Sequence, residues 1–197
     1  MNHKILGVLG LIGAPFLLLD SINGGFTVNH SSSLSGFLNF VYITGWMCSM
    51  LALKRMGAMG EKKFGKNLFV VQMCLLTLAN CWNIYEWAQP HAATRLYFFL
   101  DAFWPLSNAC MLITGITIAV AGVLRGWHRY VPLLVGCWLP VGMVLWAIFS
   151  RTGGMLVAVN IYSAFAWSLM AFVIITSQAG VIKQERTAKP YGKTQLA

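Results

Sequence analysis

Three carboxylates are the residues best able to do chemistry in this chain. Asp20, Glu86 and Asp101 each lie at, or within about one to two helical turns of, the same end of a different apolar segment. An ionisable group at membrane depth costs free energy, so it is by default a hypothesis for a functional site. The pattern of lysines predicts none on that side of the membrane to neutralise these acids. We therefore predict a polar site that opens at this end.

Asp101 begins the run DAFWPLSN, in which a proline follows the carboxylate by four residues. Pro105 has no N–H, and its ring pushes away the carbonyl four residues before it, which belongs to Asp101. Trp104 and Asn108 lie three and seven residues after Asp101, so a helix would place all three on one face. The run predicts a helix kink at Pro105 that turns polar groups towards the interior of a helical bundle.

A second polar stripe precedes this run. Asn80, Asn83 and Trp87 share one helical face, and Glu86 follows Asn83 by three residues. Amide side chains facing lipid without a partner are costly, so we expect Asn80 and Asn83 to point inwards.

The last apolar segment carries Asn160 and Tyr162 in its outer half. Together these groups predict a pocket with carboxylates, amides and aromatic walls. Such a pocket suits a cation, a protonated amine, or a sugar-like or headgroup ligand, because aromatic faces also attract cations. The predicted ligand-binding residues are Asp20, Asn83, Glu86, Asp101, Trp104, Asn108, Asn160 and Tyr162.

A purely structural interpretation accounts for the same residues. Arg95 and Arg151 are predicted on the same side and could pair with two of the acids. Amides bond across membrane helices simply to hold a bundle together, each contributing about 1 kcal/mol or less. Tyr85, Trp87 and Tyr97 would then belong to the outer aromatic belt. The sequence leaves this alternative open.

Six apolar segments must position these residues. A hydrocarbon core of about 30 Å needs about 20 helical residues, and a spanning backbone must satisfy its own polar groups. We therefore predict an all-α bundle of six transmembrane helices. The segments are Ile5–Leu19, Gly36–Leu53, Asn67–Trp87, Tyr97–Leu124, Tyr130–Ser150 and Gly154–Thr176.

Positive charge alternates between the connectors. With the N-terminus inside, 12 of the 14 lysines and arginines fall on the inner side, leaving Arg95 and Arg151 outside. This distribution predicts that both termini are cytoplasmic. The net charge of +9 then favours anionic lipid headgroups rather than nucleic acid. Residues 1–177 form one predicted membrane domain, and residues 178–197 a basic, flexible cytoplasmic tail.

Several chemistries are disfavoured by where the reactive residues fall. The four histidines lie in predicted connectors or termini, which argues against a haem or a metal site inside the bundle. No lysine lies within a predicted helix core, and the five cysteines form no C-x-x-C pair. We predict no cofactor and no metal.

Small residues lie at helical spacing in two segments. Gly7, Gly10 and Gly13 line one side of the first segment, and Gly115, Ala119 and Gly122 line the fourth. Such faces let helices approach closely, within one chain or between subunits of a homo- or hetero-oligomer.

The leading functional hypothesis is a small transporter or ligand-binding protein of the plasma or inner membrane, with an outward-facing pocket for a small solute, cation or lipid headgroup. Protonation of Asp101 is expected to couple to binding, so Asp101→Asn should abolish it. One alternative is a non-catalytic subunit or assembly factor of a larger membrane complex, suggested by the small size and the glycine faces. A second is an intramembrane enzyme acting on a lipid or quinone with Asp101 and Glu86 as acid and base; the sequence leans against an enzyme.

Overall fold

The computed structural model describes residues 2–27, 30–91, 94–150 and 152–177, and all regular structure in these ranges is helical. The predicted all-α class is therefore confirmed. The predicted tail and Arg151 lie outside the described residues. The α-helices are α1 (His3–Gly13), α2 (Phe16–Asn23), α3 (Ser33–Arg55), α4 (Lys63–Ala88), α5 (Arg95–Asp101), α6 (Phe103–Ala121), α7 (Val131–Gly136), α8 (Trp138–Phe149) and α9 (Gly153–Thr176), and a 3-10 helix covers Gly126–Tyr130.

Five of the six predicted segments are continuous enough to cross a membrane. They are His3–Asn23, Ser33–Arg55, Lys63–Ala88, Arg95–Ala121 and Gly153–Thr176, each with a mean hydropathy between 1.4 and 2.1. The predicted span Tyr130–Ser150 differs: it is divided into Gly126–Gly136 and Trp138–Phe149, bent by 50°. The described residues thus hold five candidate spans, or six if the bent pair counts as one.

Proline explains both helix breaks in the second half of the chain. The ring of Pro140 displaces the carbonyl four residues earlier, and that residue, Gly136, is the last of α7. Pro105 has the same relation to Asp101, the last residue of α5. The predicted kink is therefore observed as an interruption at Ala102, after which Pro105 occupies the first turn of α6, where its missing N–H costs nothing.

The glycines of α1 are used for packing within the chain. A Cβ added to Gly13 would lie 2.8 Å from Cα of Gly45 in α3, and one added to Gly10 would lie 3.3 Å from the Gly45 carbonyl oxygen. A Cβ at Gly7 would lie 2.9 Å from the side chain of Ile174 in α9. This glycine face therefore holds α1 against α3 and α9.

The second predicted small-residue face is only partly a packing face. A Cβ at Gly115 would lie 2.5 Å from Cα of Leu133, so α6 and α7 touch through their backbones there. Gly122 instead ends α6 in the left-handed conformation, with φ of 62°. Glycine adopts this conformation without the steric penalty that a Cβ brings, which makes it the usual residue at a helix end.

An aromatic cluster joins α3 to α9 in the core. Tyr42, Trp46 and Trp167 are fully buried, with the two tryptophan rings 5.1 Å apart in an edge-to-face arrangement. The Tyr42 hydroxyl lies 3.3 Å from Oγ of Ser163. These contacts hold α3 against α9, and α3 also carries part of the candidate site.

Candidate functional site

Helix α4 carries four buried polar residues on one face. Gln72, Asn80, Asn83 and Glu86 are each at most 9% exposed, and their spacing of 8, 3 and 3 residues matches helical periodicity. We call these four residues the α4 polar face. The inward orientation predicted for Asn80 and Asn83 is therefore observed. Buried polar atoms normally have hydrogen-bond partners, so the partners of each atom on this face show which atoms are available to a ligand.

The two amides form a hydrogen-bond chain that ends in α3. Asn83 Nδ2 donates to Asn80 Oδ1 at 3.1 Å, and Asn80 Nδ2 donates to Thr44 Oγ1 at 3.1 Å. The Thr44 hydroxyl in turn donates to the carbonyl of Phe40 at 2.7 Å. Because a carbonyl can only accept, it fixes the direction of the whole chain. Asn83 Oδ1 is consequently buried with no partner among the described residues.

Glu86 continues the same face one turn further along α4. It is only 2% exposed. Its Oε1 accepts a hydrogen bond from the hydroxyl of Ser31, while its Oε2 is buried without a partner among the described residues. The Ser31 hydroxyl also accepts from the backbone N–H of His91 at 3.0 Å. Ser31 therefore ties the connector before α3 and the connector after α4 to one oxygen of Glu86 and leaves the other oxygen free.

Aromatic rings and a second carboxylate lie close to Glu86. Glu86 acts on Tyr97 as a side-chain hydrogen-bond partner and through its charge, although its Oε2 has no donor within 3.5 Å among the described residues. Its charge also acts on Asp101, and the Tyr97 ring lies 5.5 Å from Trp82 and 6.1 Å from Tyr85. Among the described residues no lysine or arginine lies within 4.0 Å of Glu86 or Asp101. The pairing with Arg95 that the structural interpretation offered is therefore not formed, and Arg151 lies outside the described residues.

Asp101 departs from its expected orientation. The sequence predicts an inward-facing group, but the side chain is exposed at the end of α5. Ala102 interrupts the regular helix between α5 and α6, and Asp101 lies on the exposed side of this junction. Only the later part of the run faces inwards: Ser107 Oγ and Asn108 Nδ2 are buried and both donate to the Trp104 carbonyl, at 2.7 and 2.9 Å.

Trp104, Asn160 and Tyr162 are engaged elsewhere in the fold. The Trp104 ring packs edge-to-face on Trp138 of α8, with centroids 5.0 Å apart. Asn160 Nδ2 donates to the carbonyl of Leu156 in its own helix at 2.8 Å, and the Tyr162 hydroxyl donates to the carbonyl of Leu134 at 2.6 Å. These donors are committed to helix packing, and no contact joins them to Glu86.

Asp20 belongs to a separate cluster at the end of α2. Its Oδ2 accepts from Nδ2 of Asn39 in α3 at 2.9 Å, and that amide also donates to the Ser35 carbonyl at 3.1 Å. The other oxygen of Asp20 is buried without a partner among the described residues. The eight predicted residues thus fall into several groups, and only Asn83, Glu86 and Asp101 share one neighbourhood.

Sequence reasoning missed Ser31, Thr44 and Asn39. Asn39 was detectable, because it is an amide inside an apolar segment. Thr44 and Ser31 carried no such signal, since hydroxyl residues occur throughout membrane helices and connectors.

No group of three or more His, Cys, Asp or Glu side chains suited to a metal ion occurs in the described part of the chain. Comparison with protein families, curated proteins and solved structures gives no match to this chain.

Proposed function

We propose that the protein is a six-span membrane protein that binds or transports a small solute through a pocket at the outer ends of α3, α4 and α5. In this proposal the bent pair α7–α8 forms one span, and both termini are on the cytoplasmic side of a plasma or inner membrane. The bias of 12 positive residues to 2 supports this orientation. Asn83, Glu86 and Asp101 would then lie near the outer surface.

Three side-chain acceptors on α4 have no partner among the described residues, and the observation that carries the proposal is that two of them, on Asn83 and Glu86, lie three residues apart on one face. Asn83 is 1% and Glu86 2% exposed, yet each keeps one oxygen without a hydrogen-bond donor among the described residues. Leaving a buried polar group unpaired costs about 1–3 kcal/mol, and more when it is charged. A structural network satisfies its own members, so two open acceptors favour a role in binding.

The alternative of a subunit in a larger complex has weaker support. Its motivation was the small size and the glycine faces, and the glycine face of α1 is filled by α3 and α9 of the same chain. No contact specifically favours an intramembrane enzyme over a binding site. We therefore retain solute binding or transport as the proposed function.

The test is thermal unfolding of the detergent-purified protein against a library of small solutes. A ligand that binds only the folded state raises the apparent Tm. We expect at least one solute to raise the Tm of the wild type and to have no effect on Glu86→Gln. Glu61→Gln is the matched control, because Glu61 is exposed and its ion-pair partner among the described residues is Lys66, at 3.6 Å. A library without any hit, or a hit equally strong with Glu86→Gln, would contradict the proposal.

A further inference from the structure

We infer that the pocket selects a positively charged group bearing N–H donors, namely a primary or secondary ammonium. Asn83 Oδ1 and Glu86 Oε2 would be its two anchoring atoms. This inference rests on the proposed function and names the class of solute.

The atoms that Asn83 and Glu86 leave open are both acceptors, whereas the buried N–H of Trp82, whose ring lies beside Tyr97, is a donor without a partner among the described residues. The Phe40 carbonyl fixes the direction of the amide chain, so Asn83 must present its oxygen rather than its nitrogen. Ser31 occupies only one oxygen of Glu86. Asn83 and Glu86 are three residues apart on α4, which places their Cβ atoms about 5–6 Å apart. In the inferred complex, one donor group bonds to both oxygens.

The charge of the ligand follows from the missing counter-ion. Glu86 is buried, and none of the described lysines or arginines lies within 4.0 Å of it. A buried carboxylate without a positive partner is strongly unfavourable. A neutral sugar would supply donors but no charge, whereas an ammonium group supplies both. The neighbouring rings of Trp82, Tyr85 and Tyr97 add faces that attract organic cations.

An ammonium group also fits better than a metal ion. Ca²⁺ takes about six to eight oxygen ligands and Mg²⁺ about six. The described residues provide two open oxygens here and no cluster of three potential metal ligands. An ammonium group forms at most three hydrogen bonds, so two oxygens nearly satisfy it, and it forms them with defined direction.

The first experiment uses the wild type alone, titrated by calorimetry and thermal unfolding at constant ionic strength. The probes are n-butylammonium, tetramethylammonium, potassium, n-butanol and glucose. We expect n-butylammonium to bind and raise the Tm. Tetramethylammonium should bind at least about tenfold more weakly, because it has the charge but no N–H to donate. n-Butanol has the same chain without the charge and should give no shift.

The second experiment compares Glu86→Gln with the wild type. Gln keeps the side-chain volume and an oxygen for Ser31, and it places an N–H donor where Oε2 lay. We expect the ligand-free variant to unfold at the same or a higher temperature and to lose about 10- to 100-fold in affinity for n-butylammonium. Tyr97→Phe tests whether the Tyr97 hydroxyl, rather than a ligand, is the hydrogen-bond donor to Glu86 Oε2. This variant should bind n-butylammonium with an affinity within about threefold of the wild type. A larger loss of affinity would overturn the two-atom anchor.

The outcomes separate the two claims. If glucose or another neutral probe binds and n-butylammonium does not, the ammonium assignment is wrong and the proposed pocket stands. Equal binding of tetramethylammonium or potassium overturns the role of N–H donors. If no probe binds, the ammonium assignment fails, and the solute library decides separately whether the proposed pocket stands.

Discussion

Thr44 of α3 accepts a hydrogen bond from Asn80 of α4 at 3.1 Å, and this contact connects the α4 polar face to the backbone of a neighbouring helix. Because the Thr44 hydroxyl is already donating to Phe40, it can only accept from Asn80. Two hydrogen bonds, through Asn80, link Thr44 to Asn83. The direction of the Thr44 hydroxyl therefore determines which atom of Asn83 is left for a ligand.

Thr44→Val should destabilise the protein by about 1–3 kcal/mol, because it leaves Asn80 Nδ2 without an acceptor. Thr77→Val is the matched control: Thr77 also donates to a carbonyl of its own helix, that of Met73 at 2.8 Å, and is also exposed. The measurement is the free energy of unfolding in mixed micelles. Equal effects of the two substitutions would show that the bond to Asn80 contributes nothing.

Gly13→Ala should destabilise the bundle by about 1–3 kcal/mol, the range for overpacking a close contact. The new Cβ would meet backbone, 2.8 Å from Cα of Gly45 and 3.0 Å from the Val41 carbonyl oxygen, and backbone atoms cannot rotate away. Gly154→Ala is the control, since a Cβ there meets nothing within 4 Å. A neutral Gly13→Ala would mean that α1 does not pack on α3 as described.

Gln72→Leu should leave stability unchanged or raise it. Gln72 is fully buried; its Nε2 donates to the Ser107 carbonyl at 3.1 Å, but its Oε1 has no partner among the described residues. Leucine has a similar volume and removes the unpaired oxygen along with the bond, an exchange that is often neutral. Thermal unfolding checks the prediction. A clear loss of stability would indicate that Oε1 has a partner, such as a buried water.

Membrane orientation has its own test. Reporter fusions in the connector 89–94 should indicate the outer side, and fusions in the connector 56–62 the cytoplasmic side, as the charge distribution requires. Phosphatase and fluorescent-protein activities provide complementary readouts. The reverse assignment would move Glu86 to the inner side and would remove the outward-facing pocket.

The sequence predicted the helices well because hydropathy and helix length are local properties. It also placed the polar face of α4 correctly, because the period of a helix is fixed. It did not predict the break at Cys137, although Pro140 lies in the span, since many membrane helices bend at proline without ending. The grouping of polar residues depended on tertiary contacts: packing joined Tyr162 to Leu134 and Ser31 to Glu86, and Asp101 lies on the exposed side of α5.

Asp101→Asn tests how the exposed carboxylate contributes to the site. The sequence alone predicts that this change abolishes binding. The structure supports a smaller effect, because Asp101 acts on Glu86 through space, and in the proposed topology it lies near the outer surface, where water and salt weaken its charge. We expect Asp101→Asn to lower the affinity for n-butylammonium by about two- to fivefold at low salt, and the difference from the wild type to shrink as ionic strength rises.

The contrast with Glu86→Gln is what makes the Asp101 result informative. Replacing a buried acceptor that touches the ligand should lower the affinity at every salt concentration. Replacing an exposed charge at a distance should lower the affinity mainly at low salt. Glu61→Gln provides the baseline, because Glu61 is exposed like Asp101 and lies at the opposite end of α4 from Glu86. Complete loss of binding with Asp101→Asn at high salt would place its carboxylate in direct contact with the ligand, and α5 would then have to turn inwards when the ligand binds.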